Sequence, residues 1–270
     1  MVAALGALAG LGPAPATAVV HGQDADVRST PWAGQLLADD AFLCGAALVA
    51  PLVVLTAAHC TQDPGQASTG EPPRLEGAFG RQRSDGHDGQ EIDVVDTVVH
   101  PGFRSGRRSE QNDVALLKLA QAPLGVTPVR LAQPSDATYI RPGTRLTLLG
   151  WGQTDAGAGP NALTPPAGLH RAQVPLRSIQ GCRGFWGSTY DARSTLCAGA
   201  VVRPHPDACA GDSGSPLVAT LPYSRPSLVG VVSYGTRTCG AGPTAYARIW
   251  FGSLQRWLRG QLSAGTLAQG

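Results

Sequence analysis

Apolar residues fall along this chain in short runs bounded by turn formers, not in long helical stripes. Residues 45–56 (GAALVAPLVVLT), 92–99 (IDVVDTVV), 113–119 (DVALLKL), 145–151 (RLTLLGW), 169–176 (LHRAQVPL), 227–234 (SLVGVVSY) and 244–249 (TAYARI) are rich in valine and leucine. Each ends at Gly, Pro or a polar cluster, which is the pattern of strands. Stretches 61–74, 83–90 and 153–168 between them are turn-rich. One segment has the helical period. Leu254, Trp257, Leu258 and Leu262 share a face, with Arg256 and Arg259 on the polar side, predicting a helix over 250–262 and a loose tail over 263–270. Short strands without alternating helices predict an all-β fold, a sandwich or barrel. The three prolines of residues 120–135 (AQAPLGVTPVRLAQPS) split the chain into two halves that share no visible sequence repeat.

Composition narrows the picture. A chain of 270 residues has ample material for a buried core, and 43% apolar with 15% charged residues is globular rather than disordered. The 35 glycines and 22 prolines argue against a helical bundle. A net charge of +2 gives no footprint for nucleic acid. Beyond residue 18 no apolar run is long enough for a membrane helix. The first twelve residues (MVAALGALAGLG) are almost wholly apolar, and Ala16-Thr17-Ala18 follows a two-proline stretch. An apolar run ending in A-x-A predicts a secretory signal peptide over 1–18, with the folded domain over 19–262. The six cysteines suit an exported protein. Their number is even, none forms a C-x-x-C pair, and three disulfides are expected. Spacing alone leaves every pairing open.

Three motifs carry candidate chemistry. Gly211-Asp212-Ser213-Gly214-Ser215-Pro216 surrounds a serine with glycines. A serine hydroxyl needs a base to become a nucleophile, and flanking glycines let backbone amides turn toward a developing oxyanion. Ser215 occupies the last glycine position of a G-x-S-x-G elbow, which counts against an α/β-hydrolase. Thr56-Ala57-Ala58-His59-Cys60 closes an apolar strand with a histidine beside a cysteine that can lock its backbone. Asn112-Asp113-Val114-Ala115-Leu116-Leu117 places a carboxylate at a strand start. Taken singly, each motif is commonly a turn, a structural histidine or a strand-capping acid. Taken together, they run His, Asp, Ser in one of the chain orders known for catalytic triads.

With these motifs the sequence resembles secreted serine proteases of the trypsin/chymotrypsin family, over residues 19 to about 260. The resemblance implies two six-stranded antiparallel barrels, about 19–125 and 135–249, with the active site between them. It implies His59 as general base, Asp113 as its orienting partner and Ser213 as nucleophile. The Gly211 and Ser213 amides would form the oxyanion hole. It also implies the pairings Cys44–Cys60, Cys182–Cys197 and Cys209–Cys239.

Asp207, six residues before the nucleophile, would form the floor of the primary pocket and select arginine or lysine, with small Ala208 beside it. Ser233-Tyr234-Gly235 resembles the strand on which substrate backbone pairs. Thr244 departs from the family, standing where trypsins have a pocket glycine, and its β-branched side chain is expected to alter the slot. The alternatives are therefore non-tryptic specificity or, if the machinery were idle, a binding protein on this scaffold. The intact set of three motifs disfavours the latter. Val19-Val20-His21-Gly22 matches the family's activated N-terminus, whose ammonium would pair with Asp212. Because Ala18 precedes Val19, signal removal itself is expected to activate the enzyme. No cofactor or metal is expected. Residues 77–91, where some relatives bind calcium, carry Asp85, Asp88 and Glu91 in no matching pattern. Polypeptide substrates and proteinaceous inhibitors are the expected partners of a monomer. Arg104, Arg107 and Arg108 form a basic surface loop and a candidate self-cleavage site.

Overall fold

The computed structural model describes residues 19–62, 73–106, 109–154, 168–202, 205–222 and 224–264. Residues 1–18, expected to be a signal peptide, most of the turn-rich stretches 61–74 and 153–168, Arg107, Arg108 and the last six residues of the chain lie outside the described residues. Strand β1 (Gln23–Asp24) comes first. The first barrel follows with β2 (Ala33–Ala38), β3 (Ala41–Ala50), β4 (Val53–Thr56), β5 (Leu75–Phe79) and β6 (Gln90–Val99). A hairpin of β7 (Arg104–Gly106) and β8 (Ser109–Gln111) precedes β9 (Ala115–Leu119). The order β2-β3-β4-β9-β6-β5 closes on itself.

The predicted single strand 45–56 is in fact the second leg of one strand and a partner. The chain turns at Pro51-Leu52, so β3 and β4 pair antiparallel, Ala47 opposite Leu55. Both legs are buried, so no polar residue marked the turn. The proline is what breaks the ladder, because it has no N–H to contribute.

Short β10 (Arg130–Leu131) lies in the proline-rich linker and pairs with a later strand. The second barrel uses β11 (Arg145–Gly150), β12 (His170–Pro175), β13 (Thr195–Ala198), β14 (Pro216–Ala219), β15 (Ser227–Tyr234) and β16 (Thr244–Arg248). Their path is β12-β11-β14-β15-β16-β13, and a single antiparallel bridge from Leu176 to Ala198 joins its two ends. Strand β1 adds to the outer edge of β12. The helices are α1 (His59–Gln62), α2 (Ile179–Trp186) and α3 (Gly252–Ser263). Helix α2 was not apparent from the sequence. It begins at Ser178, whose Oγ accepts the Gly181 N–H at 3.0 Å and so caps the first turn.

Two cores form. Leu36, Leu48, Leu55, Phe79, Leu116 and Leu119 fill the first barrel. The same cluster continues through Trp151, Leu228 and Ile249 to Leu254 and Leu258 of α3, so the C-terminal helix seals a seam shared by both halves. Leu146, Leu148, Val174, Leu217, Val229 and Tyr246 fill the second barrel. Alternation along β12, buried at His170, Ala172 and Val174 and exposed at Arg171 and Gln173, is the half-buried strand pattern expected of a barrel wall.

The cysteines pair as the resemblance implied: Cys44 with Cys60, Cys182 with Cys197, Cys209 with Cys239. In the 77–91 stretch the acids meet arginines. Buried Arg81 pairs with Glu91, and Arg83 pairs with Asp85 at 2.9 Å. No helix among the described residues is long and apolar enough to cross a membrane.

Candidate active site

Strand β4 runs into a tight turn, and α1 opens at His59. The Cys44–Cys60 disulfide ties this turn back to β3 and fixes the histidine's backbone. Asp113 lies just before β9, the neighbour of β4 in the barrel, and this adjacency brings the two side chains together. The His59 main-chain N–H donates to Asp113 Oδ1 at 3.0 Å, and His59 Nδ1 lies 2.8 Å from Oδ2. Ser233 Oγ, from β15 of the other barrel, donates to the same Oδ2 at 2.5 Å. Asp113 is 1% exposed. With Nδ1–H donating to the carboxylate, Nε2 is left as the imidazole's acceptor. Burial disfavours the charged ring. The Asp113 hydrogen bond and charge, with Glu110 adding, outweigh that and raise the His59 pKa above its ordinary value.

Ser213 sits in a turn between the Cys209 region and β14. Gly211 has φ +90° and Gly214 φ +74°, values that only glycine adopts without strain. The Ser213 carbonyl accepts the Gly45 N–H of β3 at 2.7 Å, which docks the serine turn on the first barrel. Neighbouring amides are engaged. Asp212 N–H bonds Cys209 O, Gly214 N–H bonds Val232 O and Ser215 N–H bonds Asp212 O. Among the described residues the N–H groups of Gly211 and Ser213 have no partner. Two unpaired amides flanking a serine are the donor set that an oxyanion requires.

A pocket of about 270 Å³ opens beside this turn. Ala208–Ala210 and Ser213 form one wall, Val232–Arg237 the other, and Cys239 and Thr244 complete it. The Cys209–Cys239 disulfide joins the walls. A Cβ on Gly235 would lie 3.7 Å from Thr244 Oγ1, so Gly235 and Thr244 face each other across the slot. Behind them lies Asp207, 1% exposed. Thr244 Oγ1 donates to Asp207 Oδ1 at 2.6 Å, and the Gly240 N–H donates to Oδ2 at 3.1 Å. Burial pushes the Asp207 carboxyl up to about 6 against these hydrogen bonds. Thr244, which lines the pocket, thus bonds Asp207 through its hydroxyl, and Asp207, expected as the pocket floor, lies behind the lining residues rather than among them.

Asp212 is wholly buried, and its carboxylate accepts N–H groups from Gly152 (2.8 Å) and Cys209 (2.9 Å). Burial pushes it up to about 7, and the Asp207 charge adds to the shift. Val19 and Val20 are also buried, Val19 in the second-barrel core, while Val20 bridges Asp207 antiparallel.

The sequence reading missed three features. These are the Ser233 bond to Asp113, the Thr244 bond to Asp207, and Glu110, which bears electrostatically on both His59 and Asp113. The first two partners stand 120 and 37 residues apart, and no local pattern signals them.

Fold and site define a two-barrel protein with a buried aspartate bonded to a partly exposed histidine, a serine turn and a pocket beside that turn. A sequence profile of the Trypsin family matches residues 19–258. The chain is 34% identical over 251 residues to "Trypsin" of Saccharopolyspora erythraea, covering 92% of this chain and all of that protein. It is 28% identical over 240 residues to human "Kallikrein-11", covering 86% of this chain and 77% of that one. The chain belongs to the Trypsin family and is a serine endopeptidase.

Proposed function

We propose that this is a secreted endopeptidase that cleaves after arginine or lysine with Ser213 as nucleophile, His59 as base and Asp113 as orienting acid. Ser213 Oγ attacks the scissile carbonyl and passes its proton to His59 Nε2. The Gly211 and Ser213 amides hold the resulting oxyanion. Collapse expels the amine, which takes the proton from His59, and leaves an acyl-enzyme that water hydrolyses by the same steps. One observation carries the reading: a buried Asp113 bonds both the main-chain N–H and Nδ1 of His59, a geometry that serves to aim an imidazole. Secretion is supported by the apolar leader ending in A-x-A and by three disulfides.

Basic primary specificity rests on Asp207. A buried carboxylate whose protonated form is favoured gains most from a cation, through charge-assisted hydrogen bonds. A second reading has its own observation. The Thr244 hydroxyl lies on Asp207, and both side chains are only 1% exposed, which suits a shorter slot for small side chains. Fluorogenic peptides varied at the residue before the cleaved bond decide between them. Hydrolysis confined to arginine and lysine supports the first. Preference for alanine or valine replaces it with the second.

Activation follows from Val19. While Ala18 is attached, β-branched Val19 holds φ +56°, a left-handed value that costs on the order of 1–3 kcal/mol. Cleavage of the Ala18–Val19 bond removes that torsion and creates an ammonium, which on the family resemblance would pair with buried Asp212. Removal of the signal peptide is then the activating step. A free α-amino group titrates near ~8, and pairing raises that value, so the pair forms at neutral pH and is lost as pH rises through the folded value. N-terminal sequencing of the secreted protein gives Val19 on this reading. A different start with full activity refutes it.

A further inference from the structure

The segment that follows the proposed cleavage point is anchored at both ends and strained between them. Upstream, Val20 bridges Asp207, and the Asp207 N–H donates to Val20 O at 3.1 Å. Downstream, β1 joins the edge of β12, with Gln23 opposite Arg171 and Asp24 opposite His170. His170 Nε2 lies 2.8 Å from Asp24 Oδ1. The two anchors leave His21 and Gly22 to turn the chain, and the Gly22 N–H closes that turn on Val19 O at 2.6 Å. His21 meets the demand with φ +55°. This is the left-handed region, where a Cβ crowds the following carbonyl oxygen.

No contact offsets the strain. The His21 side chain is exposed and engages no partner among the described residues. The torsion also outlasts activation. Cleavage before Val19 releases the Val19 torsion but leaves His21 inside the chain, between Val20 and Gly22. The strain at Val19 ends with the cut, while that at His21 opposes every later seating of the new N-terminus.

We propose that His21 is a brake built into the activation segment: its side chain disfavours the turn that seats the N-terminus, so part of the mature enzyme rests with Val19 disengaged and inactive. This rests on the activation reading above and deepens it. Glycine adopts the same torsion without a Cβ to crowd, and asparagine tolerates it better than most residues. Glycine also loses more freedom than histidine when the turn orders, so removing the side chain recovers only part of the strain.

Linkage gives the sign. Only the ammonium form is seated beside Asp212, and a free α-amino group titrates near ~8. Seating raises that value by the logarithm of the insertion constant, so a tenfold tighter turn moves the alkaline limb of activity up by about one pH unit. The titratable groups around the Asp212 carboxylate are Asp207, His205 and Tyr246, with Asp24 and His170 on the β1 anchor. They are common to every variant at position 21 and cancel in the comparison.

The test measures kcat/KM from about pH 7 to 11 for the secreted enzyme and three variants. Expected for His21→Gly is an alkaline limb raised by about half a unit or more, a threefold or greater gain in insertion. His21→Asn should fall between, and His21→Ala, which keeps a Cβ, should show no rise. Hydrogen exchange at the Asp207 amide, bonded to Val20 O, makes the same comparison without turnover. Its protection at neutral pH should grow by the same factor in His21→Gly. An unmoved limb in His21→Gly, unchanged protection there, or an equal rise in His21→Ala overturns the proposal. A mature start other than Val19, or full activity after acetylation of the N-terminus, instead refutes the activation reading itself, and the proposal falls with it.

Discussion

Asp113 gathers three donors onto one buried carboxylate, and two belong to His59. Asp113→Asn keeps the shape but turns an amide toward Nδ1, which favours the wrong tautomer. Turnover should fall on the order of 10⁴-fold. The acid limb of the wild-type profile should lie above the ordinary histidine value of ~6.5, because Asp113 and Glu110 raise the His59 pKa, and activity should rise as the ring loses its proton. In Asp113→Asn that limb should shift to lower pH, which a pH–kcat/KM series measures. Asp207 obeys a different sign. Its carboxyl is pushed up to about 6, so the group behind the pocket is mostly neutral below that pH and mostly anionic above it. Binding of a guanidinium ligand such as agmatine should strengthen from pH 5 to 7 with release of a proton, and calorimetry in buffers of differing ionisation heat reads both. Pocket affinity independent of pH over that range would contradict the assignment. Thr244→Gly removes a hydroxyl that bonds Asp207 and should lengthen the slot, raising the preference for arginine over smaller side chains.

At the scale of elements, the serine turn depends on close backbone approach. A Cβ on Gly45 would come within 2.7 Å of the Ser215 Cα and within 2.1 Å of its Oγ, so Gly45→Ala must push the turn away from β3. The Gly45 N–H bond to Ser213 O would lengthen with it. Activity should fall by about 10²-fold or more, the scale of a misplacement near 1 Å, while circular dichroism stays barrel-like. Much of this organisation was legible in the sequence. The valine- and leucine-rich runs became strands, and the Leu254, Trp257, Leu258, Leu262 face became α3. His59 and Asp113, which the motifs singled out, lie in hydrogen-bond contact. Strands β2, β5, β13 and β14 were not legible. Gln35 and Glu76 break the apolar pattern, yet both are buried: Gln35 donates to Arg83 O in a distant loop at 3.2 Å, and Glu76 lies 3.3 Å from its near neighbour Arg74. The Gln35 partner belongs to tertiary structure, and a local pattern carries no trace of it. Strands β13 and β14 have only four residues each, too few for alternation to register.

For the whole molecule, the proposed mechanism puts catalysis at the same seam between barrels that the shared core stabilises. The first barrel supplies His59 and Asp113, the second supplies Ser233 and the serine turn, and α3 closes the shared core. Leu258 is fully buried in that core, and Leu258→Ala should cost about 2–5 kcal/mol by urea denaturation, through lost burial and a residual cavity. The three disulfides span 16, 15 and 30 residues and should each contribute ~3 kcal/mol, so reduction should unfold the enzyme under conditions where the oxidised form persists. The central claim is that these halves meet to activate one serine. The most direct measurement is labelling with a serine-directed fluorophosphonate followed by peptide mass spectrometry. The account predicts one adduct, on Ser213, that is absent in Ser213→Ala and strongly slowed in His59→Ala. An adduct on another residue, or none on correctly processed and folded protein, would contradict it.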